Sequence, residues 1–543
     1  MNIHIIGMPQ KRLSVFAFAL SMSSITIMAQ DNLLDLKANY ETVNQTENIS
    51  RGSWNPAFIK QLKFKTLTDV KLGYEHESGD FCRVDEGVAK NGLDFSLYGI
   101  KKYGKLTFEG LFNYNNTYTD NQSWRSTLFI SDDNPFVIGD LVRGSFTKEV
   151  FHLNGGLAYE FSHMWAGGLR ADFKSGSNAD ETDPRPLISA IRFNFNPGLT
   201  YHKEKNTLGL SLQFERLSES LEYSVIRTTE SYNVYLMQGL ASPIVMNAQS
   251  YRRRYFGTNL GGHVQWQTTF GEKKNFLELG YIRKFEEAKD YEIENAFHGG
   301  EYHNHHISLS DRVMWKCADD VHQLHLNLNV NLIEGFLFDQ KQVYDENYNV
   351  AWVVDRKYTG YNDNKMDVSL SYRIDRFKEE NPHYALEGII GGCLDGVKDN
   401  PDKYKENYAT VFAQALGTCH FRINQYRCQA QFGMKYNCRL SKTIQLPYDG
   451  EVSPYKIIAN NYIVPLFEYQ SADYLQGNAR LNVYLPVRTK WGFTNIGLFA
   501  QYQYRHYMGN YTTLSDTYTE TYGHYAAIGK NRHFVSAGLS ILF

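Results

Sequence analysis

Residues 324–332, LHLNLNVNL, carry an aliphatic side chain at every even position and a His or Asn at every odd one. Side chains two apart share a face of a β-strand. Leu324, Leu326, Leu328, Val330 and Leu332 therefore form an apolar row, with His325, Asn327, Asn329 and Asn331 opposite. A strand of a soluble sandwich alternates in the same way, so one segment does not decide whether the apolar face meets a core or lipid. Recurrence along the chain does decide. LGLSLQF (208–214) sets Leu208, Leu210, Leu212 and Phe214 against Ser211 and Gln213, and VSLSYRI (368–374), LTFEGLF (106–112) and ARLNVYL (479–485) repeat the pattern.

About 18 such segments fit along the chain, 16 being the alternative count, and the links between them alternate in length. Short links fall near 101–105, 162–165, 203–206, 270–275, 316–321, 377–382, 421–425 and 487–491. Long ones fall near 78–91, 119–148, 175–188, 217–257, 289–302, 340–362, 395–406, 441–473 and 510–531. A sandwich has no reason to produce this alternation. A transmembrane antiparallel up-and-down β-barrel does, with short periplasmic turns on one rim and long extracellular loops on the other. Hydrocarbon forces every backbone N–H and C=O to pair, and a sheet achieves this only by closing on itself. Mean hydropathy is −0.46, and beyond the first thirty residues no apolar run approaches the roughly 20 residues of a spanning helix, which excludes a helical membrane protein. Aromatic residues reach 15%, suiting strands that anchor at a membrane interface.

Residues 1–29 read as an export leader: Lys11 and Arg12, then LSVFAFALSMSSITIM, then Ala29 before the cut. Residues 30–64 form a periplasmic or lumen segment, and 65–543 the barrel. Without the leader, 54 basic side chains (56 less Lys11 and Arg12) face 59 acidic ones, a difference of −5 that gives no electrostatic case for nucleic acid. Six cysteines are too few for a disulfide framework in an exported chain. Cys419 and Cys428 flank a turn at nearly mirror positions, so they either face each other or stay free.

Nucleotide loops, G-x-S-x-G, Cys-x-x-Cys and H-E-x-x-H are all missing from the sequence, so neither an enzyme nor a cofactor is expected. The polar strand faces, among them His325, Asn327, Asn329, Asn331, Ser211 and Gln213, are expected to line a pore. HGGEYHNHH (298–306) groups His298, Glu301, His303, His305 and His306, which form either a weak zinc or copper site or a solvated histidine-rich rim. Acidic SDDNPFVIGD (131–140), with Asp132, Asp133 and Asp140, and basic YRRRY (251–255), with Arg252, Arg253 and Arg254, are expected in loops. Folded inward, such loops make a charged constriction; at the rim, the arginines meet lipopolysaccharide phosphates or keep the loop soluble.

The final strand, HFVSAGLSILF, alternates through Val535, Ala537, Leu539 and Ile541 to the terminal aromatic Phe543. It resembles the terminal strand by which the barrel assembly machinery recognises outer-membrane barrels. Together with MAQD (28–31), NPAF (55–58), DNPFVIGD (133–140) and the Tyr-rich strands, it makes the chain resemble uncharacterised outer-membrane barrel proteins of Bacteroidota. That resemblance implies an outer-membrane barrel in contact with lipid and lipopolysaccharide, and carries no functional residue across. Three functions compete: a porin-like or accessory channel for small hydrophilic or amphipathic solutes; a binding or assembly barrel that grips a surface lipoprotein or uptake partner, its lumen closed by loops 217–257 and 441–473; and an envelope enzyme.

Overall fold

The computed structural model describes residues 37–125, 127–240, 243–248, 251–290, 296–344, 350–378, 381–400, 404–447, 454–489, 492–510 and 523–543. The expected leader and the start of the 30–64 segment lie outside the described residues. In chain order the strands are β1 (Thr66–Ser78), β2 (Ala89–Tyr103), β3 (Leu106–Arg125), β4 (Ile138–Glu160), β5 (Trp165–Asp180), β6 (Pro186–Lys203) and β7 (Asn206–Tyr223). A small hairpin, β8 (Asn233–Met237) and β9 (Pro243–Asn247), comes next. The wall resumes with β10 (Arg252–Phe270), β11 (Lys273–Asp290), β12 (Phe297–Cys317), β13 (Asp320–Tyr344), β14 (Val350–Lys378), β15 (Asn381–Asp399) and β16 (Tyr404–Ile423). It ends with β17 (Tyr426–Gln445), β18 (Tyr474–Thr489), β19 (Gly492–Tyr507) and β20 (Asn531–Leu542).

Each wall strand pairs antiparallel with its neighbours, β7 pairs directly with β10, and β1 closes on β20 from Asp69↔Leu542 to Ser78↔His533. Setting aside β8 and β9, this is a closed antiparallel barrel of 18 strands. Six of the eight expected short links are described throughout and are tight turns on one rim; at the other two, the flanking strands pair up to Lys378↔Asn381 and Thr489↔Gly492. In five of the six a residue with positive φ (Gly104, Glu204, Gly271, Ala318 and Asn424) supplies the twist a tight hairpin needs.

The barrel is apolar outside and polar inside. Leu208, Leu210 and Leu212 are each more than half exposed, while Ser211 and Gln213 between and beside them are 1% and 7% exposed. Leu324 and Leu332 face outward likewise, as do Val535, Leu539 and Ile541 of β20. Tyr103, Phe161, Trp165, Phe270 and Tyr426 lie exposed near the short turns, the position an aromatic girdle takes in membrane barrels. Cys419 pairs with Ala430 and Cys428 with Phe421, and all six cysteines are free.

Several long links are shorter than the sequence suggested, because paired strands continue beyond the band where apolar alternation is legible. The 217–257 link shrinks to 224–251 and the 119–148 link to 126–137. The lumen is occupied at both ends. At the short-turn end, residues 37–64 pack against the inward faces through helix α1 (Tyr40–Glu47) and a 3-10 turn (Pro56–Gln61). Asn55 caps that turn, its side chain accepting from the Ala57 N–H at 3.0 Å, with Pro56 in the first turn, where its missing N–H leaves no bond unmade. The seat is a groove of glycines. Gly168 and Gly198 are partners across β5 and β6, and a Cβ on them would stand 2.4 Å from the Ala57 nitrogen and 2.1 Å from the Asn55 oxygen. Phe58 meets Phe276 edge-on at 5.3 Å and packs with Ile49, Met314 and Val321.

At the long-loop end, three inserts fill the barrel: residues 127–137, the β8–β9 hairpin, and a helical segment. That segment runs through α2 (Pro454–Ile458), a π turn (Ala459–Ile463) and α3 (Val464–Gln470). Trp124 stacks on Tyr462 with ring centroids 4.3 Å apart, and Phe136, Met237 and Ile463 join inward-facing Tyr255, Tyr302 and Ile333 in one apolar cluster.

Candidate functional site

Between the two fillings lies a chamber of about 930 Å³. Trp54 contributes to its floor, stacked on buried His263 with centroids 5.2 Å apart and planes 12° apart. The N-terminal segment is tied to the wall beside it. Ser53 Oγ and the Trp54 N–H donate to Glu278 at 2.6 and 3.2 Å, and Asn55 Nδ2 donates to Gln265 Oε1 at 3.0 Å.

The roof is an irregular loop, and buried irregular backbone needs partners for its N–H groups. Two buried carboxylates supply them. Glu219 accepts from the Leu128, Phe129 and Ile130 N–H groups at 2.8, 2.8 and 3.3 Å. Glu286 accepts from the Ser131 N–H and hydroxyl at 2.9 and 2.7 Å and from Asn134 Nδ2 at 2.8 Å. Arg125 donates to the Ser131 and Asp132 carbonyls, each at 2.7 Å. Tyr462 and Tyr469 of the helical insert complete the roof, and burial pushes the Tyr462 hydroxyl pKa up to about 12, so it stays protonated.

The arginine triplet is not in a loop. Arg252, Arg253 and Arg254 open β10, which pairs with β7 from its first residue. Arg253 points inward at 1% exposure, donates to both oxygens of fully buried Asp290 at 2.5 and 2.8 Å, and donates to the Phe136 carbonyl at 3.1 Å. It clamps the roof loop and presents no free charge to a solute, because its guanidinium is already paired with the Asp290 carboxylate. Arg252 pairs with Glu222 at 2.9 Å. Of the acidic residues, Asp132 and Asp133 line the chamber, Asp133 accepting from the Tyr302 hydroxyl at 2.8 Å, while Asp140 is buried in β4 and accepts from the Val142 N–H. The expected ring of facing acidic and basic loops does not form.

The histidine-rich stretch lies within β12, where alternation splits it. Glu301 bonds His303 at 3.0 Å and also Lys357; His305 bonds the Tyr281 hydroxyl at 2.7 Å. His298 sits beside Glu287, and His306 bonds Asn331 at 2.9 Å on the inward face. Among the described residues no three metal-capable side chains converge, so this set does not form a shared site. On β13, His325 bonds the Ser310 hydroxyl at 3.0 Å, Asn327 lies 3.4 Å from His325, and Asn331 also accepts from Asn304. Ser211 accepts from Gln265, and Gln213 alone of the six polar-face residues lines the chamber. Asn329 takes an inward position. Phe543 pairs through its backbone with Thr68 at the barrel seam.

Sequence reading missed the chamber's charged walls. Lys148 on β4, Lys174 on β5 and Arg192 on β6 line one side, with Lys174 the direct cross-strand partner of both His152 and Arg192. Asp363 on β14, Asp395 on β15 and Glu406 on β16 line another. Arg83 also borders the chamber but is committed to Asp85, whose hydrogen bonds raise the guanidinium above its usual range. The available signal was charge at the inward parity of a strand, visible only once parity is assigned.

Residues 56–543 match the model of a family of unknown function, DUF6850. The chain belongs to that family. No curated protein matches it. Among solved structures, this chain is similar to a copper transporter, OprC, at 8% identity and TM-score 0.40, covering 89% of this chain and 81% of that one. The RagAB peptide importer gives 5% identity, TM-score 0.40 and coverage of 89% and 87%. The outer-membrane transporter YddB from Escherichia coli gives 8%, 0.35, and 89% and 81%. At these values the likeness is that of one large barrel to another.

Proposed function

We propose that this DUF6850 chain is an outer-membrane transport barrel that passes its solute through an occluded chamber rather than an open pore. The observation that carries the reading is the chamber itself: about 930 Å³ with charged walls, floored by residues 37–64 and roofed by inserts held on Glu219, Glu286 and Arg253. A wall apolar outside and polar inside suits lipid contact, lipopolysaccharide at the long-loop rim and insertion by the barrel assembly machinery through the strand ending at Phe543. Export through a cleaved leader at 1–29 is part of the same proposal. Small hydrophilic or amphipathic solutes fit a chamber of this size.

The test is planar-bilayer conductance of the refolded barrel, of a variant lacking residues 37–62, of one lacking 127–136, and of one lacking both. The intact protein is expected to be nearly closed and the double deletion to conduct as a wide pore. A large steady conductance in the intact protein, or closure persisting in the double deletion, would overturn the reading.

A second reading, docking of a surface lipoprotein, draws on β13 and β14, which at 25 and 29 residues are the longest strands and end with Val343, Tyr344 and Val353 exposed. A photo-crosslinker at Val343 that traps no lipoprotein in intact cells would remove it.

A further inference from the structure

The chamber's two charged walls stand across the barrel from each other, one carrying lysines that meet no partner and the other a pair of buried carboxyls crowded against each other. Counting wall strands only, β4–β6 and β14–β16 are eight apart on a circumference of 18. On the first wall, Lys148 and Lys174 reach the chamber half-buried, and neither makes a hydrogen bond or ion pair among the described residues. Arg192 beside them meets Glu215 at 3.4 Å. On the opposite wall, Asp363 is 4% exposed and its carboxyl hydrogen-bonds that of Asp395, two acceptor groups that bond each other only by sharing a proton. Lys365 stands 3.7 Å from Asp395, Tyr408 donates to Asp395 at 2.8 Å and Tyr404 donates to Glu406, so this wall has one cation and a shared proton stands where a second would fit. Lys284 adds one unpaired amine on β11 between the two walls.

A half-buried ammonium without a partner is unfavourable unless something supplies one, and a proton shared by two buried carboxyls holds a place that an ammonium can take. The interior polarity is also not needed for membrane insertion, which uses only the outer face. We propose that the chamber binds a linear zwitterion, its anionic end on Lys148, Lys174 and Arg192 and its cationic end on Asp363 and Asp395. Eighteen strands spaced ~4.8 Å and tilted ~40° give a backbone diameter of about 35 Å. Inward side chains of ~6 Å on each wall leave about 20 Å, the reach of about six extended residues. A solute spanning both walls with opposite charges satisfies both; an anion or cation alone leaves one wall unpaired.

This inference rests on the occluded-chamber reading, and its test is kept separate from conductance. Free-ended oligoglycines of three to seven residues, their N-acetylated forms and their C-amidated forms are titrated into the purified full-length barrel, and into the 127–136 deletion, by calorimetry. Binding of free-ended peptides should peak near six residues and fall at least tenfold when either end is blocked. Asp363→Asn should abolish the penalty for N-acetylation alone, and Lys174→Gln should reduce the penalty for C-amidation alone. Equal affinity for blocked and free peptides, or no binding by any member in either protein, overturns the proposal. If the double deletion conducts while the peptides fail, only the zwitterion is lost; if conductance itself fails, the transport reading falls first.

Discussion

Replacing Gly168 with Val tests whether the N-terminal segment is held by the glycine groove. Valine suits a β-strand, so β5 itself has no reason to suffer. The seat does. A Cβ there stands 2.4 Å from the Ala57 nitrogen and 2.5 Å from the Pro56 carbonyl carbon, both backbone atoms that cannot rotate away. Restoring an ordinary contact moves the Asn55–Ala57 turn by about 1 Å, enough to break hydrogen bonds whose strength falls steeply with geometry. Asn55 Nδ2 then loses Leu199 O, Leu210 O and Gln265 Oε1, now at 3.0, 3.2 and 3.0 Å, and Ser53 loses Glu278. At about 1 kcal/mol for each neutral bond and about 2 for the bond to the carboxylate, seating weakens by about 5 kcal/mol. Since 1.4 kcal/mol is tenfold, the unseated population rises more than a thousandfold. The assay is limited proteolysis of the refolded barrel: residues 37–62 should become cleavable while the 65–543 barrel keeps its heat-dependent gel mobility. Unchanged protection of the segment would refute the groove as its anchor.

Three further outcomes are expected. Leu328→Arg should hinder refolding into lipid by about 2 to 4 kcal/mol if Leu328 sits near the bilayer midplane, whereas inward Asn329→Arg is tolerated; equal effects in urea titrations would break the assigned faces. Arg253→Met strands the fully buried Asp290 carboxylate and should cost about 3 to 5 kcal/mol, most of it recovered in Arg253→Met with Asp290→Asn, as a double-mutant unfolding cycle would report. Burial pushes the Cys82 thiol up to about 11 while Cys317 is exposed. At pH 8 the Cys82 thiolate is scarcer by about a hundredfold than at an ordinary thiol, so mass spectrometry should find Cys317 alkylated by iodoacetamide first.

The sequence alone determined the strands and their faces, and bounded their number at about 18 with 16 as the alternative. Period-two alternation is a property of neighbouring residues, so LHLNLNVNL and HFVSAGLSILF declare an apolar and a polar side before any partner is known. Alternating link lengths add the up-and-down order, because a strand spanning a fixed thickness must turn back at each rim. Alternation faded where strands rise past the apolar band, which is why 217–257 read as one loop although β7 and β10 pair at its two ends, 217–222 with 252–257. The site depended on closure. Arg253 is adjacent in sequence to two other arginines, and only pairing with β11 brings Asp290, 37 residues on, against it and turns an apparent anion attractor into a clamp. Lys174 and Asp363 belong to one chamber because β1 meets β20 and sets β5 across from β14. Such distances come from how many strands close the ring, a quantity no local pattern carries, and so the tertiary structure alone decided which charges face one another.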